Sequence, residues 1–165
     1  MEKYLQKIEQ LVQTFQLLPH PEGGFYKETY RSEAQILIEN QPRNISTGIY
    51  FLLTSDIFSA FHRIKSDEMW HFYDGTCVEI LYFTPEKTLK IIKLGNNFEE
   101  GQHFQAVVPA NCWFASYVPA QQSFGLVGCT VAYGFDFRDF EMAKREDLQK
   151  EFPDFKEIIE KFTRI

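Results

Sequence analysis

The chain of 165 residues has 44% hydrophobic residues and a formal net charge of −6 at pH 7, the composition of one ordinary globular domain. No cluster of lysine and arginine offsets the negative charge, so no nucleic-acid partner is expected, and no apolar run reaches the about 18 residues of a membrane span. Three widely spaced cysteines without a CxxC pair, and an N-terminus unlike a signal peptide, indicate reduced thiols in a cytoplasmic protein.

The first predicted element is an amphipathic N-terminal helix, assigned to residues 1–18. Within residues 4–16, apolar side chains recur at helical spacing at Leu5, Ile8, Val12 and Phe15. Prolines at positions 19 and 21 and glycines at positions 23 and 24 then end the helix in a turn.

From residue 20 to residue 137 the sequence changes to short β-type runs separated by turn signals such as DG (74–75) and GNN (95–97). This spacing is typical of a β-sandwich or a β-barrel. Residues 138–165 return to a helical pattern, with an apolar stripe at Phe155, Ile158, Ile159 and Phe162. Without an internal repeat or a linker, we expect a single domain over residues 1–165.

The run FSAFHRIK (58–65) reads as a strand whose two faces differ. Alternation places His62 on one face with apolar neighbours, while Phe61 and Arg63 lie on the other face, which is predicted to face water because it carries the charges. A buried imidazole needs hydrogen-bond partners or a ligand. A core histidine with satisfied hydrogen bonds and a functional histidine both explain this position.

The next run, EMWHFY (68–73), carries a carboxyl group on a face with aromatic rings. Alternation places Glu68 with Trp70, where burial of a lone carboxylate is expensive. Glu68 is therefore expected at an exposed strand end, in a pair, on a metal ion or in its protonated form. His71 points to the opposite face on a regular strand, and only a bulge would aim both groups inward.

Residues 62–75 resemble the first motif of the cupin superfamily, which reads His-x-His, three or four residues, Glu, six residues and Gly. His62, Glu68 and Gly75 stand at the matching positions. Ile64 occupies the place of the second histidine.

The second cupin motif is similar to residues 101–114, where Pro109 matches but Asn111 and Phe114 replace a glycine and a histidine. Metal-binding cupins hold their ion with three histidines and one glutamate from the two motifs. The resemblance therefore implies only two retained ligands, and we expect no metal and no cofactor. His71 or His103 could complete a set, which leaves a metal-dependent enzyme as an alternative.

The chain as a whole is similar to one subfamily of uncharacterised cupins, of the cupin-5 type within the RmlC-like jelly rolls. The matching words are HPEGGFYKETYRS (20–32), STGIYFLL (46–53), FHRIKSDEMWHFYDG (61–75), QAVVPANCWFAS (105–116) and CTVAYGFDFRDFE (129–141). The resemblance implies an all-β double-stranded β-helix with an N-terminal helix and C-terminal helices. It also implies a homodimer, which the strand GFYKETY supports because an exposed edge needs a partner.

Metal-independent sugar-nucleotide epimerases are cupins of this kind, and EGGFYKETY (22–30) is similar to their N-terminal strand. His62 stands where their catalytic base lies. The resemblance implies that His62 removes a proton next to a ketone, with Glu68 as a second catalytic group whose pKa burial can raise. A tyrosine would return a proton on the opposite face, and Tyr50, Tyr117 and Tyr133 are equal candidates.

The expected ligand is a small polar, sugar-like molecule inside the barrel. The candidate ligand-binding residues are Tyr50, Trp70, His71, Gln105, Trp113 and Tyr133. The same cavity could hold a metabolite without transforming it, so a non-catalytic binding module is a further alternative. Any of Lys27, Arg31, Arg43 and Arg63 could clamp a phosphorylated ligand locally.

Overall fold

Thirteen strands and three α-helices make up the regular structure of residues 2–164, the part of the chain that the computed structural model describes. The strands are β1 (Leu18–Pro19), β2 (Phe25–Arg31), β3 (Gln35–Ile38), β4 (Gln41–Asn44), β5 (Thr47–Thr54), β6 (Ser59–Arg63), β7 (Asp67–Gly75), β8 (Val78–Phe83), β9 (Leu89–Leu94), β10 (Gln105–Val108), β11 (Phe114–Tyr117), β12 (Phe124–Ala132) and β13 (Glu141–Met142). The helices are α1 (Glu2–Phe15), α2 (Arg145–Glu151) and α3 (Lys156–Lys161). None of these helices is both long and apolar enough to cross a membrane.

Two antiparallel sheets pack face to face and form the double-stranded β-helix that the sequence predicts. The six-stranded sheet has the order β1-β2-β5-β12-β7-β10, and the five-stranded sheet has the order β13-β6-β11-β8-β9. Strands β3 and β4 form a separate hairpin. The main core lies between the sheets, where Phe51 and Trp70 of the first sheet meet Ile80 and Phe114 of the second. Alternation of large apolar residues on facing strands produces this core.

Helix α1 forms as the periodicity predicts and covers the outer face of the six-stranded sheet. Its residues Leu11 and Phe15 pack with Leu52 and Leu126, which point away from the main core. Leu5 departs from the prediction, because its side chain is 50% exposed. The side chain of Leu5 therefore lies outside the apolar contact between α1 and the sheet.

The C-terminal helices cover the outer face of the five-stranded sheet, and this corrects one prediction. Phe61 was expected to face water, but its side chain is fully buried. Its ring stacks on Phe83 with centroids 5.2 Å apart and meets the edge of Phe162, which follows α3. Strand β6 is thus buried on both faces. A strand in such a position is not expected to alternate between apolar and polar residues.

Candidate functional site

A cavity of about 490 Å³ lies where both sheets contribute side chains, and strands β2, β5, β6, β7 and β12 form its walls together with residues 20–22 and 135–137. Its buried end holds His20, Glu22, His62 and Glu68, whose side chains are at most 8% exposed. Its exposed end holds Glu28, Arg31 and Asp136, whose side chains are between 25% and 39% exposed. The two ends therefore have different chemistry.

His62 at the buried end has both ring nitrogens engaged. Its Nδ1 donates a hydrogen bond to the carbonyl oxygen of Ala60 at 2.7 Å, and its Nε2 lies 2.8 Å from Oε2 of Glu22. Burial alone would lower the pKa of His62, but the charge and the hydrogen bond of Glu22 outweigh it and raise that pKa. Burial likewise works to raise the pKa of Glu22, but the charge and the hydrogen bond of His62, together with smaller contributions from His20 and Ser59, outweigh it and lower that pKa. The two groups thus form a buried ion pair.

A tight turn positions Glu22 across from His62. Gly23 and Gly24 have φ values of 114° and 81°, and a Cβ on Gly23 would lie 2.2 Å from the carbonyl oxygen of Phe58. Only glycine fits such a close approach at a positive φ. The carbonyl oxygen of Glu22 accepts hydrogen bonds from the Ala60 N–H at 2.9 Å and from the Arg164 guanidinium at 3.1 Å. Bonds to β6 and to the C-terminal segment therefore fix the turn.

His20 lies beside this pair as a neutral imidazole. Its Nδ1 accepts a hydrogen bond from the backbone N–H of Glu22 at 3.2 Å, so the ring hydrogen is on Nε2. Burial lowers the pKa of His20, and the carboxylate of Glu22 offsets only part of that effect. The ring packs edge-on against Tyr26, with centroids 4.6 Å apart. His20 therefore brings a hydrogen-bond donor, not a positive charge, to the cavity.

Glu68 brings a titratable carboxyl group from the opposite sheet. It lies on β7 across from Val131 of β12, and the Cys129 thiol is its nearby hydrogen-bond partner. Burial raises the pKa of Glu68 to about 7, with a further contribution from the negative charge of Glu22. Burial also raises the pKa of the Cys129 thiol well above its ordinary value, so that side chain stays protonated. Glu68 is thus a group that gains and loses a proton near neutral pH.

His62 and Glu68 are the two predicted site residues that line this cavity. His71 and Gln105 lie instead on the outer face of the six-stranded sheet, where Gln105 Nε2 donates to His71 Nδ1 at 3.1 Å and His71 Nε2 donates to Thr130 at 2.9 Å. The pairing of β7 with β12 is regular from residue 67 to residue 72, so no bulge turns His71 inward.

The other four predicted ligand-binding residues also lie away from the cavity lining, which corrects the expected lining. Tyr50 packs against α1 through Phe15, and Trp70 is buried inside the main core. Trp113 packs under the C-terminal helices, and Tyr133 donates a 3.5 Å hydrogen bond to the carbonyl oxygen of Lys65. Each of the two sheets has a covered outer face, so burial alone did not identify the face that borders the cavity.

The residues present do not fit a metal centre of the kind that the cupin motifs imply. Ile64 and Phe114, at the two histidine positions, bring only hydrocarbon, and the ring of Phe114 packs 4.0 Å from that of His62. Both nitrogens of His62 are already hydrogen-bonded. Within residues 2–164, no group of three or more His, Cys, Asp or Glu side chains has an arrangement suited to a metal ion.

Sequence reasoning missed most of the contribution of the segment 20–31 to the cavity. His20, Glu22 and Glu28 line the cavity but were not among the predicted site residues. Arg31, which was named as a candidate phosphate clamp, lines it with them. A carboxylate beside two glycines was a usable signal, since such a turn allows close approach to a neighbouring strand.

The family model described as Cupin superfamily (DUF985) matches residues 9–143. The uncharacterized protein YML079W of Saccharomyces cerevisiae is 32% identical in an alignment of 158 residues that covers 87% of this chain and 78% of the yeast protein. The structure of a hypothetical protein from Leishmania major has a TM-score of 0.90 and 31% identity, covering 95% of this chain and 98% of that chain. The crystal structure of protein SO0799 from Shewanella oneidensis has a TM-score of 0.87 and 37% identity, covering 94% and 96% of the two chains.

Proposed function

Because the chain belongs to the cupin superfamily, in the family described as DUF985, we propose that it binds a small sugar-like or nucleotide-sugar-like molecule in the cavity. We propose further that it acts on this molecule as a metal-independent isomerase or epimerase. One observation carries the proposal: Glu68, whose pKa is about 7, and the Glu22–His62 ion pair converge on one cavity of about 490 Å³. Buried groups that titrate near neutral pH are typical of acid–base sites.

In the proposed reaction Glu68 is the group that exchanges the proton. Its carboxylate takes a proton from the carbon next to a carbonyl group. The electron pair of the broken C–H bond becomes the C=C bond of an enolate, and the π pair of the C=O bond moves onto the oxygen. Return of a proton to the opposite face of the same carbon gives the epimer. Where that carbon carries a hydroxyl group, protonation of the former carbonyl carbon, with the hydroxyl proton passing to the former carbonyl oxygen, gives the isomer. The Nε2 hydrogen of His20 is suited to stabilise the oxygen as it becomes negative.

His62 takes a different part from the base that the resemblance implies. Its Nδ1 hydrogen is donated to Ala60 and its Nε2 hydrogen to Glu22, which leaves no lone pair to accept a proton. We assign to His62 a fixed positive charge that helps to hold Glu22 ionised. Because that pair is neutral overall, Glu68 is the group at the buried end whose charge changes near pH 7.

Hydrogen exchange in D₂O tests the proposal. The purified protein is incubated with D-fructose and with candidate keto-sugar nucleotides, and deuterium uptake next to the carbonyl is measured by mass spectrometry. We expect uptake with the unaltered protein and a loss of at least about 100-fold in Glu68→Gln, the range that a positioned acid–base group contributes. Glu99→Gln is the matched control, since Glu99 is exposed and remote from the cavity lining.

Three outcomes contradict the proposal in different ways. Exchange that persists in Glu68→Gln removes Glu68 from the chemistry. Binding without any exchange reduces the protein to a metabolite-binding module. Stoichiometric iron, manganese, nickel or zinc in the purified protein, lost in His62→Ala, favours the metal-dependent alternative.

The assembly of the protein is part of the same proposal. Strand β1 pairs with Phe25 and Tyr26 of β2, so within the described chain residues 27–31 have no strand partner on that side. An open edge of this length favours pairing with a second copy, and size-exclusion chromatography with light scattering should give twice the mass of 19.5 kDa. We also propose that residues 1–165 form a single domain. We propose a cytoplasmic location, and the three free cysteines support that location.

A further inference from the structure

The exposed end of the cavity contains a guanidinium group that already donates four hydrogen bonds from its five N–H groups. Arg31 donates from Nε and Nη2 to the two carboxylate oxygens of Glu28, at 2.9 and 2.7 Å. It also donates from Nη1 to Asn44 at 2.8 Å and from Nη2 to the carbonyl oxygen of Phe135 at 3.0 Å. Such a two-point carboxylate contact is the one that a phosphate group would otherwise make with arginine. We call this arrangement the Glu28–Arg31 pair.

The other charges around the cavity are also balanced inside the protein. Asp136 accepts hydrogen bonds from Arg138 at 2.9 and 2.7 Å, and His62 is paired with Glu22. Among the described residues that line the cavity, Arg31 and His62 carry the positive charges, and each has its own carboxylate. When Glu68 ionises, the cavity gains one negative charge that no lining cation matches.

Two of the four cations that the sequence offered as phosphate clamps, Arg43 and Arg63, are engaged elsewhere, and a third, Lys27, does not line the cavity. Arg43 forms a two-point contact with Asp139 at 2.6 and 2.9 Å, and both side chains are buried. Arg63 pairs with Glu141 at 2.7 Å and lies over the ring of Trp113. Neither residue lines the cavity.

We propose that the cavity accepts uncharged, hydroxyl- and carbonyl-bearing molecules and rejects their phosphorylated forms, with the Glu28–Arg31 pair as the determinant of that choice. This inference rests on the proposed function and narrows its ligand class to sugars without phosphate, so of the probes in the deuterium experiment it expects exchange with D-fructose and not with the keto-sugar nucleotides. A phosphate monoester carries a charge of about −1.5 to −2 at neutral pH and needs donors that are free to meet it. Here it would have to displace a carboxylate from Arg31 and approach Glu68.

The test is a gain of binding in Glu28→Gln. The glutamine keeps the length of the side chain but removes the charge and one of the two acceptor oxygens, which breaks the two-point contact with Arg31 at the exposed end of β2. Binding of D-fructose, D-fructose 6-phosphate and inorganic phosphate is measured by titration calorimetry at low salt. We expect the unaltered protein to prefer D-fructose, and Glu28→Gln to bind the two phosphates at least about tenfold more tightly than the unaltered protein does.

Two further variants control the measurement. Glu33→Gln removes one negative charge from an exposed loop position just beyond β2 and should leave phosphate binding unchanged. Glu28→Gln combined with Arg31→Gln should abolish the gain, because the freed guanidinium is then absent.

The outcomes separate this inference from the function on which it rests. The inference is overturned if the unaltered protein binds D-fructose 6-phosphate as tightly as Glu28→Gln does, or if Glu28→Gln gains nothing, whether or not deuterium exchange occurs. If no probe binds the unaltered protein and no exchange is seen, but Glu28→Gln still gains phosphate, the proposed function fails while the assigned role of the Glu28–Arg31 pair is supported.

Discussion

Replacement of Glu68 by glutamine should make the folded protein more stable, and increasingly so as the pH rises. In the folded state the pKa of Glu68 is about 7, whereas the ordinary value is 4.5. Between these two values the unfolded chain has released this proton and the folded protein still holds it. The unfolded state therefore binds fewer protons, and the free energy of unfolding falls with rising pH across this window.

The size of the effect follows from the two pKa values. Each pKa unit corresponds to about 1.4 kcal/mol, so a shift from 4.5 to about 7 corresponds to a loss of about 3 kcal/mol by pH 8. Glu68→Gln has a neutral side chain of the same shape and avoids this loss. The gain in stability of the variant should be close to zero at pH 4 and reach about 3 kcal/mol at pH 8.

Urea unfolding followed by tryptophan fluorescence at pH 4, 5.5, 7 and 8 measures this difference. Glu99→Gln, on the exposed surface, should differ from the unaltered protein by a small amount that does not change with pH. A difference between Glu68→Gln and the unaltered protein that stays flat from pH 4 to pH 8 would refute the assignment of Glu68 as a carboxyl group that holds its proton through burial.

The remaining predictions concern the turn and the helices that support the site. Gly23→Ala should destabilise the protein by at least about 3 kcal/mol, because the new Cβ meets the carbonyl oxygen of Phe58 at a positive φ, whereas Gly101→Ala, with nothing within 4 Å, should lose only about 1 kcal/mol in thermal unfolding. Phe162→Ala should reduce the free energy of urea unfolding by about 3–5 kcal/mol, and Phe98→Ala, with its ring 74% exposed, by less than about 1 kcal/mol. Equal losses within either pair of variants would contradict the packing described here.

The sequence predicted the fold well because its signals are local. Periodicity located α1, turn residues separated the strands at the spacing of a sandwich or a barrel, and the resemblance implied the double-stranded β-helix. The motif around His62 and Glu68 identified the superfamily. The face of β6 that carries Phe61 was assigned wrongly, because helix α3 covers it through contacts between residues about a hundred positions apart. Alternation of residue types indicates that the two faces of a strand differ, but it does not show which other elements pack against each face.

The candidate site was predicted only in part for the same reason. Alternation placed His62 among apolar residues and Glu68 with Trp70, and the two side chains line the cavity from opposite sheets. The approach of Glu22 to His62 depends on a turn that bonds to Ala60, and no local pattern encodes that contact. Trp113 and Phe114 are adjacent in the sequence, yet the first faces the C-terminal helices and the second faces the core beside His62.

The hydrogen bond from Arg164 to the carbonyl oxygen of Glu22 joins residues 142 positions apart. During synthesis the turn leaves the ribosome well before Arg164 and gains this anchor only after 142 further residues have been added. A nascent chain in which both sheets have formed thus still lacks one of the contacts that hold the carboxylate of Glu22 beside the imidazole of His62. Loss of the Arg164 side chain would remove its bonds to the carbonyl oxygens of Glu22 and Phe58 and would loosen the turn that places Glu22 beside His62.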